Sequence, residues 1–171
     1  MPALSLTPQM TSLLARMSEL ASTAPSFDAL QKAIVEAIAD QLPYCNWTGF
    51  YMLDPSDLQT LVLGYFAGEP TPHVRIPVAQ GICGAAVALG QTVVVDDVNA
   101  DPRYLSCSIK TKSEIVVPIH AQGKIVGEID IDSHTPAAFT ASDRIFLEEA
   151  ARIVGAWLEK HSPASPAGTY L

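Results

Sequence analysis

The two segments SEIVVPIH (113–120) and KIVGEIDID (124–132) constrain the fold more than any other part of the chain. Both are rich in β-branched residues, and the short connection AQGK contains a glycine, so the pair predicts an antiparallel hairpin. Successive side chains of a strand point to opposite faces of its sheet. One predicted face carries Ile115, Val117, Ile119, Ile125, Gly127, Ile129 and Ile131. The other carries Glu114, Val116, Pro118, Val126, Glu128, Asp130 and Asp132.

Four more segments predict strands between turn-forming residues, namely NWTGFYML, TLVLGYF, HVRIPV and TVVVDD. Helical spacing predicts helices from Thr7 to about Ser22, from a Ser26 cap to before Pro43, and from about Gly81 to Leu89. Thr140 and Asp143 form a capping-box pattern before a last helix that runs to about Lys160. We therefore expect an α+β domain with a six-stranded antiparallel sheet. The expected divisions are an N-terminal helix (1–25), one domain (26–160) and a disordered tail (161–171).

The carboxylates of the hairpin are expected on the face opposite the helices, because the helices must cover an apolar sheet face. A solvated acidic face would be the simplest interpretation of this pattern. However, Val116 and Val126 share the acidic face, and residues 68–111 must pack somewhere over the sheet. A loop cover over several carboxylates would form an acidic pocket that suits a ligand with an ammonium group.

Composition excludes several classes of partner. The formal net charge is −8, and the ten basic residues are scattered, which argues against nucleic acid and anionic membranes as partners. No stretch has the length of a membrane span, and the N-terminus lacks the pattern of a secretory signal, so we expect a cytoplasmic location. No group of residues has metal-ligand spacing, no histidine lies in a recognisable nucleophile context, and we expect neither a metal nor a cofactor.

The three cysteines, at positions 45, 83 and 107, include no CxxC pair. Cys107 lies between two serines and is followed by Lys110 and Lys112, a polar setting that suits a reactive thiol. Cys45 precedes an apolar strand, which favours a buried packing role.

Taken together, the motifs NWTGFY, LVLG, VRIPVAQGICGAAV, DDV, SEIVVPI and GEIDIDS resemble those of a GAF domain. The resemblance runs from about Asn46 to Trp157 and is closest to the free methionine-(R)-sulfoxide reductases, which are stand-alone GAF proteins. It implies a thiolate that attacks the sulfoxide sulfur, an acid that protonates the departing oxygen, and a sulfenic acid that a second cysteine converts to a disulfide. Thioredoxin would then reduce that disulfide.

By this resemblance Cys107 matches the attacking cysteine, and Cys83, in GICG, matches a resolving cysteine. Glu114, Asp130 and Asp132 match acids that hold the substrate, and Trp47 and Tyr51 match aromatic residues near its methylsulfinyl end. The resemblance also makes a homodimer plausible, since many GAF domains pair through helices. Like charges in one site should keep one acid protonated as the proton donor, with Asp132 and Glu114 as the two candidates.

The sequence departs from the family pattern at His73, where a further cysteine is common just before VRIP. A relay of three cysteines is therefore unavailable, whereas recycling through Cys83 and Cys107 stays possible. Gly81 and Gly84 either permit a tight turn and close helix packing or allow the Cys83 segment to move. Two other functions stay open, a non-catalytic GAF module that binds a small molecule and a scaffold that dimerises through its first helix.

Overall fold

The computed structural model describes residues 5–106 and 108–162. These residues form four α-helices, six strands and a short 3₁₀ turn at Val98–Ala100. The helices are α1 (Pro8–Thr23), α2 (Phe27–Gln41), α3 (Gly81–Leu89) and α4 (Ala141–His161). The strands are β1 (Trp47–Asp54), β2 (Asp57–Ala67), β3 (Arg75–Pro77), β4 (Val93–Val95), β5 (Ser113–Ala121) and β6 (Lys124–Ser133). All predicted elements are present.

Local side-chain caps define where the three long helices begin. The Thr7 hydroxyl accepts a hydrogen bond from the Met10 amide, and the Ser26 hydroxyl accepts one from the Ala29 amide. Thr140 and Asp143 form the predicted capping box, in which each side chain bonds the other residue's backbone amide. Such caps satisfy amides that have no partner within the helix, so they stabilise these start points.

The sheet is antiparallel throughout, with the strand order β3-β2-β1-β6-β5-β4. The predicted hairpin joins β5 to β6. Its tip residues Gln122 and Gly123 both have positive φ, at 52° and 72°, as a two-residue turn of type I′ requires. The α+β fold and the hairpin are therefore confirmed.

Helices α1, α2 and α4 cover one face of the sheet, and this is the face with the predicted isoleucines. Ile115, Ile119, Ile129 and Ile131 are fully buried there. They pack with residues of all three helices, including Met17, Leu30, Ile34, Phe146 and Val154. Helix α4 comes so near to β5 that a Cβ added at Gly155 would lie 2.1 Å from the His120 carbonyl oxygen. Only glycine fits at this close approach.

The predicted positions of Ile125 and Val126 are wrong. Opposite His120 the register shifts by one residue, because Ile119 pairs with Gly127 and His120 pairs with Ile125. The extra residue in β6 is a bulge, which reverses the alternation of side chains beyond it. Val126 therefore packs against the helical core, and Ile125 lies near Gly90 at the end of α3.

No helix of the described residues is long and apolar enough to cross a membrane. Helix α4 ends at His161, and most of the predicted tail, from residue 163 onward, lies outside the described residues.

Candidate active site

The sheet register places aromatic and acidic residues side by side on the face opposite the three long helices. In β1, the residues Trp47, Gly49 and Tyr51 share this face. They pair directly with Asp132, Asp130 and Glu128 of β6. On the other side of β6, Glu114 of β5 pairs with Asp132. Side chains at directly paired positions lie close together, so four carboxyl groups and two aromatic rings line one strip of the sheet.

These four carboxyl groups are buried. Glu128 is 0% exposed, and Glu114, Asp130 and Asp132 are each 5% exposed. Helix α3 supplies part of the cover, and its residues pack with the apolar neighbours of the acids in a second core. The second core contains Trp47, Tyr51, Leu61, Ile76, Ile82, Cys83, Ala86, Val93, Val95, Val98 and Val116. The simpler alternative of a solvated acidic face is therefore excluded, because the acids lie inside the molecule, as the expected cover over the sheet requires.

Cys83 projects from α3 onto the acidic strip. Its thiol donates a hydrogen bond to Oδ2 of Asp130 at 3.3 Å. Burial, followed by the negative charges of Asp130, Glu128 and Glu114, raises the pKa of this thiol well above its usual value. Cys83 is therefore a protonated thiol at neutral pH in this arrangement, with a carboxylate already placed as its proton acceptor.

Burial also changes the acids themselves. It raises the pKa of Asp130 to about 6, and it raises the pKa of Asp132 well above the usual range, with the charge of Asp130 as the second cause. The sequence predicts such shifts from repulsion among like charges, whereas removal from water is the larger cause here. The raised pKa favours the protonated form of Asp132, which a proton donor requires.

The strand pattern places Glu128 on this face, but the family resemblance gives it no role in the site. Neither of its carboxyl oxygens has a hydrogen-bond partner among the described residues. Burial raises its pKa well above the usual value. A buried carboxyl without a partner is costly, so its position beside Cys83 calls for an explanation. The burial of Glu128 depends on how α3 covers the sheet. The alternation of side chains along β6 does not predict that burial.

Trp47 and Tyr51 hold the segment 69–73 over the site. The indole Nε1 of Trp47 donates to the Glu69 carbonyl at 3.0 Å, and the Tyr51 hydroxyl donates to the His73 carbonyl at 2.7 Å. Trp47 also stacks on Phe66, with ring centroids 5.5 Å apart. A Cβ at Gly49 would lie 2.4 Å from the indole ring, so glycine permits the ring to fold over this position. The two aromatic residues thus border the site and also hold the segment 69–73 closed over it through these two hydrogen bonds, which we call the clamps.

Two small cavities lie along the acidic strip. One, of about 20 Å³, is bordered by Tyr51, His73, Cys83, Glu114 and Asp130, among others. The second, of about 40 Å³, is bordered by Trp47, Glu69, Thr71, Ser108, Thr111, Asp132 and neighbours. Each has room for only one or a few water molecules. An amino acid could therefore enter only if the segments covering the acids moved outward.

Cys107 lies outside the described residues, so its predicted role as the attacking thiol stays a prediction. The chain just before it is close to α3. The Leu105 side chain lies 3.0 Å from where a Cβ of Gly81 would be, and the Ser106 carbonyl is 3.1 Å from Nε2 of His73. His73 therefore contacts the segment that leads to Cys107.

The two glycines of GICG have clear packing roles. Gly81 has a φ of +71°, and a Cβ at Gly84 would lie 2.5 Å from the Val78 carbonyl oxygen. Cys45, in contrast to Cys83, is buried among residues of the helical core. Burial, together with the nearby charge of Asp143, raises its pKa. These contacts favour a packing role for Cys45.

Comparison with known proteins assigns this fold to a family. Residues 26–157 match the family model of the GAF domain. The free methionine-R-sulfoxide reductase of Saccharomyces cerevisiae is 42% identical over 110 residues, which are 64% of this chain and 61% of the yeast protein. The enzyme of the same name from Escherichia coli is 40% identical over 121 residues, 71% of this chain and 68% of the relative. The matched region thus spans about two thirds of these relatives.

A solved structure agrees over nearly the whole chain. It is the X-ray structure of free methionine-R-sulfoxide reductase from Neisseria meningitidis in complex with its substrate. It has a TM-score of 0.84 and 32% identity, and the match covers 93% of this chain and 96% of that one. The chain therefore belongs to the GAF domain family, and its relatives within that family include the free methionine-R-sulfoxide reductases.

Proposed function

We propose that the protein reduces free L-methionine (R)-sulfoxide to methionine. The proposal depends above all on one observation: the Cys83 thiol donates a hydrogen bond to Asp130 within a buried strip of carboxyl groups. The relatives named for this activity, one of them solved with its substrate, support the choice of substrate.

The acidic strip would hold the amino group of the substrate. An ammonium group placed among Glu114, Asp130 and Asp132 would be stabilised by their negative charge, more strongly in a buried site than in water. Trp47 and Tyr51 offer apolar ring surface to the methyl end of the sulfoxide. The clamped segment 69–73 would have to loosen to admit the substrate, because the cavities beside these acids are smaller than an amino acid.

The first chemical step transfers oxygen from one sulfur to another. The Cys107 thiolate attacks the sulfoxide sulfur, and Asp132 or Glu114 gives a proton to the sulfoxide oxygen. This attack forms a sulfur–sulfur bond. The protonated oxygen then moves as a hydroxyl group from the substrate sulfur to the Cys107 sulfur, while the sulfur–oxygen bond of the substrate and the new sulfur–sulfur bond both break. Methionine leaves with the electron pair of the sulfur–sulfur bond, and Cys107 becomes a sulfenic acid. The raised pKa of Asp132 favours this residue as the proton donor.

The second step regenerates the thiol through a disulfide. Asp130 takes the proton of Cys83, and the resulting thiolate attacks the sulfenic sulfur of Cys107. The hydroxide that leaves receives a proton and departs as water. Thioredoxin, with its pair of thiols, would then reduce the disulfide by exchange, which suits a reducing compartment such as the cytoplasm.

The test is consumption of NADPH with thioredoxin and thioredoxin reductase, with L-methionine supplied separately as its R and S sulfoxides. The proposal predicts oxidation of NADPH with the R form and little with the S form. A GAF module that only binds small molecules would give no turnover with either form. The predicted homodimer is a separate question, which light scattering of the reduced protein would answer.

A further inference from the structure

Three side chains from three separate elements converge beside the smaller cavity. The sulfur of Cys83 (α3), a carboxylate oxygen of Glu114 (β5) and one of Asp130 (β6) all lie within 4.8 Å of one another. We propose that the reduced protein binds one Zn²⁺-like divalent cation there, through the Cys83 thiolate and the two carboxylates. Sequence spacing does not reveal this group because each ligand comes from a different element.

The separation between Cys83 and Asp130 suits such an ion, whereas a carboxylate oxygen of Glu114 lies within the wider limit of 4.8 Å from both. In a tetrahedral site with Zn–S near 2.3 Å and Zn–O near 2.1 Å, a sulfur and an oxygen ligand lie about 3.6 Å apart. The Cys83 sulfur and Oδ2 of Asp130 are already 3.3 Å apart, so this pair needs almost no adjustment. A thiolate with carboxylate oxygens suits zinc better than the harder cations, which prefer oxygen ligands alone.

The space beside these ligands fits an ion. Cys83, Glu114 and Asp130 all border the cavity of about 20 Å³. That volume is enough for one water-sized body, so an ion could enter this space without repacking of the second core. His73 and Leu105 border the same cavity on its loop side, and they would control access from solvent.

An independent observation also favours a cation at this place. Glu128 is wholly buried, and neither of its oxygens has a partner among the described residues. Oδ1 of Asp130 is also without a partner there. Among the described residues of the chain, no ion pair involves Glu128 or Asp130. The positive charge of a divalent cation would stabilise the buried carboxylates. It would also explain why a buried carboxyl group, that of Glu128, lies beside Cys83.

Binding would have a clear consequence for the reaction. The thiol proton of Cys83 would pass to solvent as the metal–sulfur bond forms, so the resolving thiol and two substrate-holding acids would be occupied together. The ion would therefore act as an inhibitor. This consequence rests on the proposed function, whereas binding of the ion does not.

The experiment is a titration of the reduced, chelator-treated full chain with Co²⁺, followed by ultraviolet absorption from a thiolate–cobalt bond. One equivalent should produce the absorption, and Zn²⁺ should displace it. Cys83→Ser should abolish it. Asp130→Asn and Glu114→Gln, which preserve side-chain shape and each remove a proposed ligand carboxylate, should weaken binding by about tenfold or more. Circular dichroism would verify that each variant is folded.

Two variants serve as controls. Cys45→Ser removes a thiol of the helical core, and Glu19→Gln removes an exposed carboxylate of α1, so both should bind Co²⁺ like the wild type. Absence of the absorption in the wild type with excess Co²⁺, or its survival in folded Cys83→Ser, would overturn the proposal. Because no substrate is present, this result is independent of the reductase assay.

Discussion

The thiol of Cys83 donates a 3.3 Å hydrogen bond to Oδ2 of Asp130, although the two residues are 47 positions apart in the chain. Burial keeps the proton on the sulfur, and the carboxylate of Asp130 is placed to accept it. A thiol in this state is a poor nucleophile until its proton is removed. We infer that Cys83 acts late in the cycle, after another thiol has reacted with the substrate.

Replacement of single cysteines should show that Cys107 is the attacking thiol and that Cys45 is only a packing residue. Cys107→Ser should reduce turnover of L-methionine (R)-sulfoxide by at least about 10³-fold, because the nucleophile is lost. Cys45→Ser should retain most of the activity, because Cys45 lies in the helical core, although a lower melting temperature is expected. The thioredoxin-coupled assay measures both. The reverse pattern would contradict the cysteine assignment.

Neutral replacements of the acids should slow the reaction without changing side-chain shape. Asp132→Asn and Glu114→Gln should each lower kcat/KM by about 10²-fold or more, because each removes a substrate-holding charge and a candidate proton donor. The matched control is Glu19→Gln on the exposed surface of α1. Wild-type rates in both site variants would rule out the acidic pocket as the place of reaction.

The sequence predicts those parts of the fold that have local signals. The capping box at Thr140 and the turn at Gln122 and Gly123 depend on neighbouring residues, so the pattern reveals them. The bulge near Val126 depends on how two strands pair, and the alternation of side chains carries no trace of it.

The site could be predicted only in part, for the same reason. The alternation in β5 and β6 places the acids on one face, but their burial depends on how α3 packs across the sheet. The contact of Trp47 with the Glu69 carbonyl and that of Cys83 with Asp130 join distant parts of the chain. Such contacts follow from tertiary packing, which no local pattern describes.

The buried Glu128 should make stability depend on pH. Burial raises its pKa in the folded chain, so the folded state holds the proton more tightly than the unfolded state does. This contribution is complete below the unfolded pKa of about 4.3 and is lost as the pH rises toward and through the folded value. The metal-free protein should therefore lose unfolding free energy as the pH rises above about 4.3.

Glu128→Gln should lose less over the same range. The difference should approach about 1.4 kcal/mol for each pH unit over which only the folded state keeps Glu128 protonated. Cys83 and Asp130, which face Glu128, are unchanged in this variant. Urea unfolding at several pH values provides the measurement, with Glu19→Gln as the control. An equal loss in Glu128→Gln and wild type would show that Glu128 is not protonated preferentially in the folded chain.

The clamps on the segment 69–73 can be tested one hydrogen bond at a time. Tyr51→Phe removes the hydroxyl bonded to the His73 carbonyl, and Trp47→Phe removes the indole N–H bonded to the Glu69 carbonyl. Each loss should destabilise the closed segment by about 1 kcal/mol. Amide hydrogen exchange in residues 69–73 should therefore accelerate, while exchange in α4 should not. Unchanged exchange in both variants would exclude the clamp.

The central claim concerns which thiols act and on which substrate, and a single-turnover experiment tests it most directly. Freshly reduced protein without thioredoxin is mixed with L-methionine (R)-sulfoxide, and mass spectrometry follows free methionine and the cysteines. We predict one methionine per chain together with a disulfide between Cys83 and Cys107, and only methionine with no such disulfide in Cys83→Ser. Absence of methionine, or equal yields from the R and S sulfoxides, would contradict the account.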